Sequence, residues 1–415
     1  MSSAVFAFLT RIARRVWFRA SMVSLAAVVL ALAAGAIQSW LPFTPSVDLG
    51  QGSLDSLLQI IASSMLAVTT FSLTAMVTAY SSAASLATPR ATQLLVEDTT
   101  SQNVLSTFVG AFVYALVGIV ALSTGYYGEQ GRVILFFGTL VVLALIVTTL
   151  LRWIAHLATF GRMSDIIDRV EEAAISAALS YARRPTLGGT ALSAPTSGPG
   201  VWSHSVGYVT RIDMAALQKV ASDSGADLAV IALPGRFADA ATPLVRSLGA
   251  PLDDAQSAAA RRAFTVEHHR TFEQDPRLGA IALAEIASRA LSPAVNDPGT
   301  AIQVIGAMER VLTEALQERR ESEVVYPNVH VTAPTFADLL ADAVRPLARD
   351  GAGSIEVQVR LQKTLAALAV AHRGQAGELR SAADAAWRRA RRALSGDDVA
   401  LLRSVRRSVW RAGSA

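Results

Sequence analysis

From Leu54 to Tyr80 the chain carries Asp55 near the start and no charge thereafter. At ~1.5 Å rise per residue a helix of this length exceeds the ~30 Å hydrocarbon core of a bilayer, so the stretch predicts a membrane-spanning helix. With ~100° between successive residues, the hydroxyls of Ser63, Thr70, Thr74, Thr78 and Ser81 fall in a narrow sector, while Leu66, Phe71, Leu73 and Met76 occupy the rest. The pattern is that of a polar stripe on a buried helix. Small hydroxylated residues so spaced allow close helix packing. A water-lined path is the alternative, since polar groups within a bilayer face a bundle interior or a cavity.

Three more uncharged runs have the length of a span, giving four at about 21–40, 54–80, 104–123 and 133–151. Arg11, Arg14, Arg15 and Arg19 precede the first, and Arg152 and Arg162 follow the fourth. The loop between the first two spans has no basic residue, so arginine placement predicts both termini on the cytoplasmic side. Trp17 and Trp40 stand where interfacial aromatics belong. Gly110, Tyr114 and Gly118 recur one turn apart and predict a groove for a neighbouring helix. The spans lack a central Asp, Glu, Lys, Arg or His, which removes the usual residues of a proton relay.

A chain of 415 residues that is 52% hydrophobic is too long for one ordinary domain and too apolar to be wholly soluble. It has no cysteine, which excludes disulfides, thiolate metal sites and a cysteine nucleophile. After Met163 no run is long and apolar enough to span, so the remainder is expected to be cytoplasmic. The expected division is a membrane domain over 1–162, a linker helix and loop over 163–200, a small β-module over 201–252 and a helical region over 253–415 with a basic tail. The fold class is thus membrane α-helical with a C-terminal cytoplasmic α+β domain. Within it, Ser205–Ile212 and Leu228–Leu233 read as strands, Asp213 caps a helix, and Pro234-Gly235 forms a turn. Lys219 lies on that helix and not at a hairpin tip, which argues against a biotinyl or lipoyl carrier.

The densest polar stretch runs from His268 to Thr300. Asp275-Pro276 and Asp297-Pro298 both read as helix starts, the acid accepting from free amides and the proline lacking one. Arg270, Glu273, Gln274, Glu285, Arg289, Ser292 and Asn296 accompany them on two turns that flank one helix, so a converging buried charged network is expected. Glu273, Asp275, Asn296 and Asp297 would also offer oxygen ligands to Mg²⁺ or Ca²⁺, although no familiar metal or nucleotide motif surrounds them. The segments Pro89-Arg90, Phe108 to Ala115, Gly207-Tyr208-Val209, Glu273-Gln274-Asp275-Pro276 and Leu291 to Pro298 resemble the domain-of-unknown-function 2254 family of predicted bacterial inner-membrane proteins. The resemblance implies a multi-pass membrane protein with a cytoplasmic domain. It supplies no activity and no catalytic residue.

The expected function is permeation of an ion or small solute through a homo-oligomer. The hydroxyl stripe would line the path, and Arg90 and Glu97 would stand at the inner mouth. The alternatives are a membrane-anchored structural or signalling scaffold and a metal-dependent enzyme at the inner surface. No catalytic residue, resident metal, cofactor or nucleic-acid partner is expected. The bilayer is the expected partner, with anionic lipid contacted by Arg388, Arg389, Arg391, Arg392, Arg403, Arg406, Arg407 and Arg411 beside Trp387 and Trp410.

Overall fold

A computed structural model describes residues 16–37, 51–96, 98–192, 197–317 and 323–412. Arg11, Arg14, Arg15, Trp40 and Glu97 lie outside these residues. The chain divides into two compact units, one of Met1–Ser85 with Thr92–Asp165, the other of Leu86–Ala91 with Ile166–Ala415.

The first unit holds four long apolar helices: α1 (Val16–Ile37), α2 (Gln51–Leu86), α4 (Thr99–Ser123) and α5 (Glu129–Leu157); the short α3 (Pro89–Val96), between the second and third, has its first residues in the second unit. All four are long and apolar enough to cross a membrane. Each extends a few residues beyond its uncharged core, because polar residues such as Asp55, Arg132 and Arg152 at the ends are tolerated where a helix leaves hydrocarbon. Ends that meet define an up-and-down bundle. Arg19 at the start of α1 donates to Asn103 at the start of α4, 3.0 Å away. Tyr80 of α2 meets Phe160, just past α5, edge to face. At the other end Tyr127 donates to the Ala31 carbonyl of α1 at 2.7 Å.

The glycine face of α4 seats three neighbours. A Cβ on Gly110 would come within 2.6 Å of Val23 on α1, and one on Gly118 within 3.0 Å of Leu58 on α2. Between them the buried Tyr114 hydroxyl sits 3.2 Å from that of Thr139 on α5. Large side chains fill the middle of the bundle, among them Leu58, Met65, Phe108, Leu135 and Trp153.

The second unit combines two small sheets with a helical layer. The strands are β1 (Gly189–Ala191), β2 (Gly200–Val201), β3 (Gly207–Ile212), β4 (Leu228–Val230), β5 (Phe237–Ala238), β6 (Val245–Ser247), β7 (Phe264–Glu267) and β8 (Tyr326–Val331). One sheet runs β1-β8-β4-β6-β2, with β8 parallel to both its neighbours and β6 antiparallel to β4 and β2. The other is the antiparallel ribbon β5-β3-β7. The sheet is therefore not confined to 201–252. A parallel partner has to be reached by a crossover, and the central position beside β4 is taken by β8, which follows two helices of the helical layer.

The helices are α6 (Met163–Arg183), α7 (Met214–Ser224), α8 (Asp254–Arg262), α9 (Pro276–Ala290), α10 (Pro298–Ala315), α11 (Phe336–Asp350), α12 (Ile355–Ala371), α13 (Ala376–Ala393) and α14 (Gly396–Ala412). The expected linker helix α6 is a core element. Ile166, Ile167, Val170, Ala174 and Ala178 are completely buried, and a Cβ on Gly279 of α9 would fall 2.2 Å from that of Ala174. Glu171 of α6 forms a two-pronged pair with Arg310 of α10, a geometry that matches the guanidinium fork to both carboxylate oxygens.

Candidate functional site

The hydroxyl stripe lies on one side of α2. Ser63, Thr70, Thr74, Thr78 and Ser81 are exposed, whereas Leu54, Leu58, Ile61, Met65, Ser72 and Met76 face inward. The helix was expected to be buried, and is buried on one face only. Four of the hydroxyls donate to the carbonyl one turn back: Ser63 to Gln59 at 2.9 Å, Thr70 to Leu66 at 3.0 Å, Thr74 to Thr70 at 3.0 Å and Thr78 to Thr74 at 2.9 Å. Their protons are thus satisfied inside the helix while the oxygens keep accepting capacity. From Ser63 to Ser81 the track is ~27 Å long, close to the hydrocarbon thickness. Of the expected mouth residues, Arg90 pairs with Glu285 of α9 within the second unit, and Glu97 is outside the described residues.

The expected charged network does not converge. The turns that carry it stand at opposite ends of α9, and a 15-residue helix is ~22 Å long. At the first end Asp275 is 1% exposed, accepts from the Arg277 amide at 3.1 Å and pairs with Arg270 at 2.6 Å. Burial pushes its carboxyl up, against the pull of Arg270 and the helix amides. Gln274 accepts from the Ile212 amide at 3.0 Å, which ties the turn to β3. Gly235, at φ +88°, presses on the pair; a Cβ there would lie 2.3 Å from the Asp275 carboxylate. Glu273 is exposed.

At the far end of α9, Ser292 donates to the Arg289 carbonyl at 2.7 Å, while the Arg289 side chain is exposed. Asn296 adopts φ +50°, a left-handed conformation that asparagine tolerates better than most residues. The exposed Asp297 then caps α10, accepting from the Thr300 amide at 3.0 Å and its hydroxyl at 2.6 Å. Those bonds hold its carboxyl below the usual aspartate range. The Leu291–Pro298 stretch thereby does local work: it reverses the chain and starts a helix. Glu273, Asp275, Asn296 and Asp297 cannot surround one cation from opposite ends of a helix, and the described residues hold no group of three His, Asp or Glu able to bind a metal.

A polar cluster that the sequence did not reveal lies in the first unit. Asp98 caps α4 through the Ser101 amide at 2.7 Å, and it also meets His156 near the end of α5, Nε2 to Oδ2 at 3.1 Å. Ser101 Oγ stands 3.5 Å from the same Nε2. Acid and hydroxyl therefore share one ring nitrogen, whereas a hydrolytic relay needs them on opposite nitrogens. His156 also stacks on Trp153 and leans on Phe160. The partners are 58 residues apart, and the only hint in the sequence was that an acid opens one span and a histidine closes the next.

Residues 13–367 match the family model described as "Predicted membrane protein (DUF2254)". The chain belongs to the DUF2254 family. Two relatives of this DUF2254 protein are uncharacterised proteins of Mycobacterium tuberculosis and Mycobacterium bovis, each 25% identical over 373 residues, covering 82% of this chain and 70% of the relative. No solved structure matches the chain.

Beyond the matched residues, the basic helices α13 and α14 of this DUF2254 protein are fastened to α12. Gln362, fully buried, donates to the Ala383 carbonyl at 2.9 Å and accepts from Arg406 at 3.1 Å and Trp410 at 3.3 Å. Arg406 also pairs with Asp384 and lies over Trp387, and Arg380 lies over Trp410. Both tryptophans, expected at a lipid surface, are thus held by arginines of the same unit. Arg388, Arg389, Arg391, Arg392, Arg403 and Arg407 remain exposed.

Proposed function

We propose that this DUF2254 protein is an oligomeric inner-membrane conduit for ions or small solutes, with the hydroxyl face of α2 turned to a shared axis and the second unit serving as gate or sensor. The observation that carries the reading is the exposed polar track on α2, which runs for about the thickness of the hydrocarbon. The protomer's own interior is filled by side chains such as Phe108, Tyr114 and Leu135, so a path would lie between copies. Oxygens with spare lone pairs can replace part of an ion's water shell there. Arginine placement supports a cytoplasmic second unit with both termini inside, and exposed arginines on α13 and α14 support contact with anionic lipid.

The test is flux through liposomes reconstituted with the full chain. The wild type is expected to pass a small monovalent cation or anion above the rate of empty vesicles, and Thr74→Leu to reduce that flux by at least severalfold without changing assembly. Flux indistinguishable from empty vesicles under several ion gradients and tensions would reject the conduit. The second reading, a membrane-anchored scaffold, draws on the back-bonding of Ser63, Thr70, Thr74 and Thr78, which lets those side chains face lipid with their protons satisfied.

A further inference from the structure

Helices α11 and α13 of the second unit do not close on each other along their whole length. A groove of about 490 Å³ remains between them, within the ~300–1,000 Å³ range of small-molecule sites. Its floor is apolar, with Leu340 and Val344 from α11 and Ala385 from α13. Its rim is charged: Arg345 and Arg389 line it, with Glu378 as the acid. Both arginines are exposed. Among the described residues Arg345 makes no ion pair, and Arg389 reaches just the Ala385 carbonyl of its own helix, at 3.4 Å. This contrasts with Arg277, Arg310 and Arg406 of the same unit, each committed to a carboxylate.

We propose that the groove binds a single-chain amphipathic carboxylate of the fatty-acid class. An apolar slot beside two uncommitted guanidinium groups is complementary to a ligand with a hydrocarbon body and an anionic head. The planar fork of arginine suits a carboxylate in particular, because two parallel N–H groups can meet its two oxygens. Glu378 on the same rim opposes additional negative charge, which selects a singly charged head over a polyanionic phosphate. The site is independent of the conduit reading, since it needs neither the α2 track nor a particular assembly.

The test uses the full chain in phosphatidylcholine nanodiscs. Because the chain has no cysteine, Ser381→Cys places a single thiol on the exposed lining of the groove, and its rate of maleimide labelling reports occupancy. Dodecanoate, with its free concentration corrected for partition measured in empty discs, is expected to slow labelling saturably by at least tenfold. Dodecanol and acetate, which each keep one half of the ligand, are expected to need at least tenfold more for the same protection. Adding Arg345→Gln with Arg389→Gln is expected to weaken dodecanoate about tenfold while circular dichroism stays unchanged, and Ala385→Phe, which fills the slot, to abolish protection. Labelling that dodecanoate leaves unchanged, or protection equally strong with dodecanol or with both arginines replaced, would overturn the proposal. So would a disulfide joining the introduced thiols of two copies that forms in discs holding two chains and persists in saturating dodecanoate, since it would assign the groove to a second copy of the chain.

Discussion

Two residues of the second unit are set by a backbone requirement and a charge requirement at once. Gly235 combines φ +88° with an approach that leaves no room for a methyl group against Asp275 and Arg270. Gly235→Ala is therefore expected to cost about 3 kcal/mol or more, adding left-handed strain to a clash with a packed ion pair, and to lower the apparent melting temperature of the full chain by several degrees. Asp275 is a subtler case. Its folded pKa is raised by burial, so its contribution is fullest below the unfolded value and declines as pH rises through the folded one. A neutral, cap-competent replacement should then be the mild one at pH 7. Asp275→Asn keeps an acceptor for the Arg277 amide and is expected to lose about half of what Asp275→Ala loses, the latter ~3 kcal/mol because it breaks a buried pair and removes the cap. Thermal unfolding followed by circular dichroism orders the two variants, and equal losses would show that the cap contributes nothing. Sequence alone identified Asp275 as a cap, since a cap is a local event. It did not reveal burial to 1% exposure, which depends on a turn 40 residues earlier in the chain.

At the level of elements, what was legible follows from how far the deciding interaction reaches. The four spans and the caps Asp213 and Asp297 rest on neighbours within a turn or two, and all were readable. The insertion of β8 beside β4 pairs residues 101 apart in the chain, Leu228 with Val329, and Asp98 lies 58 residues from His156; no local pattern encodes such partners. The convergence expected of the two aspartate-proline turns failed for a geometric reason, since a helix between two turns holds them apart by its own length. Asp297 should thus act on α10 alone. Its folded pKa is depressed by Thr300, so the cap contributes fully above the unfolded value near ~3.9 and fades as pH falls through the lower folded one. Asp297→Ala is expected to cost ~1 kcal/mol at pH 7, and the difference from wild type should shrink below about pH 4, as read from melting temperatures across the acid range. Gln362 is the corresponding tie for α14. Gln362→Leu leaves Arg406 and Trp410 without their shared acceptor and is expected to destabilise by ~2 kcal/mol; limited trypsin digestion should then release the C-terminal helix faster than in wild type, and an unchanged cleavage rate would mean that Asp384 and the ring contacts suffice.

For the whole molecule, the even number of spans has a consequence that no single helix has. If all four candidate spans of the described residues cross, the chain returns to the side on which it began, so the proposed topology puts the stretch before Trp17 and the residues after Leu157 in one compartment. The proposed topology puts the arginine-rich end in the cytoplasm: Arg19 precedes the body of the first span, Arg152 closes the fourth and Arg162 follows it, while Asp55 and Glu129 begin the second and fourth spans at the opposite end of the bundle. The absence of cysteine from the chain makes this directly measurable. A thiol introduced by Ser404→Cys on α14, exposed in the fold, is expected to react with a membrane-impermeant maleimide in inside-out vesicles and to stay unmodified in intact spheroplasts, whereas Thr124→Cys, in the turn between α4 and α5, should show the reverse. Labelling of both positions from one side would mean that α5, the span between them, does not cross. The reversed pattern, with Ser404 labelled from outside and Thr124 from inside, is what failure of α2 to cross would give, and it would remove the polar track as a conduit lining, because a track that does not traverse the hydrocarbon connects no two compartments.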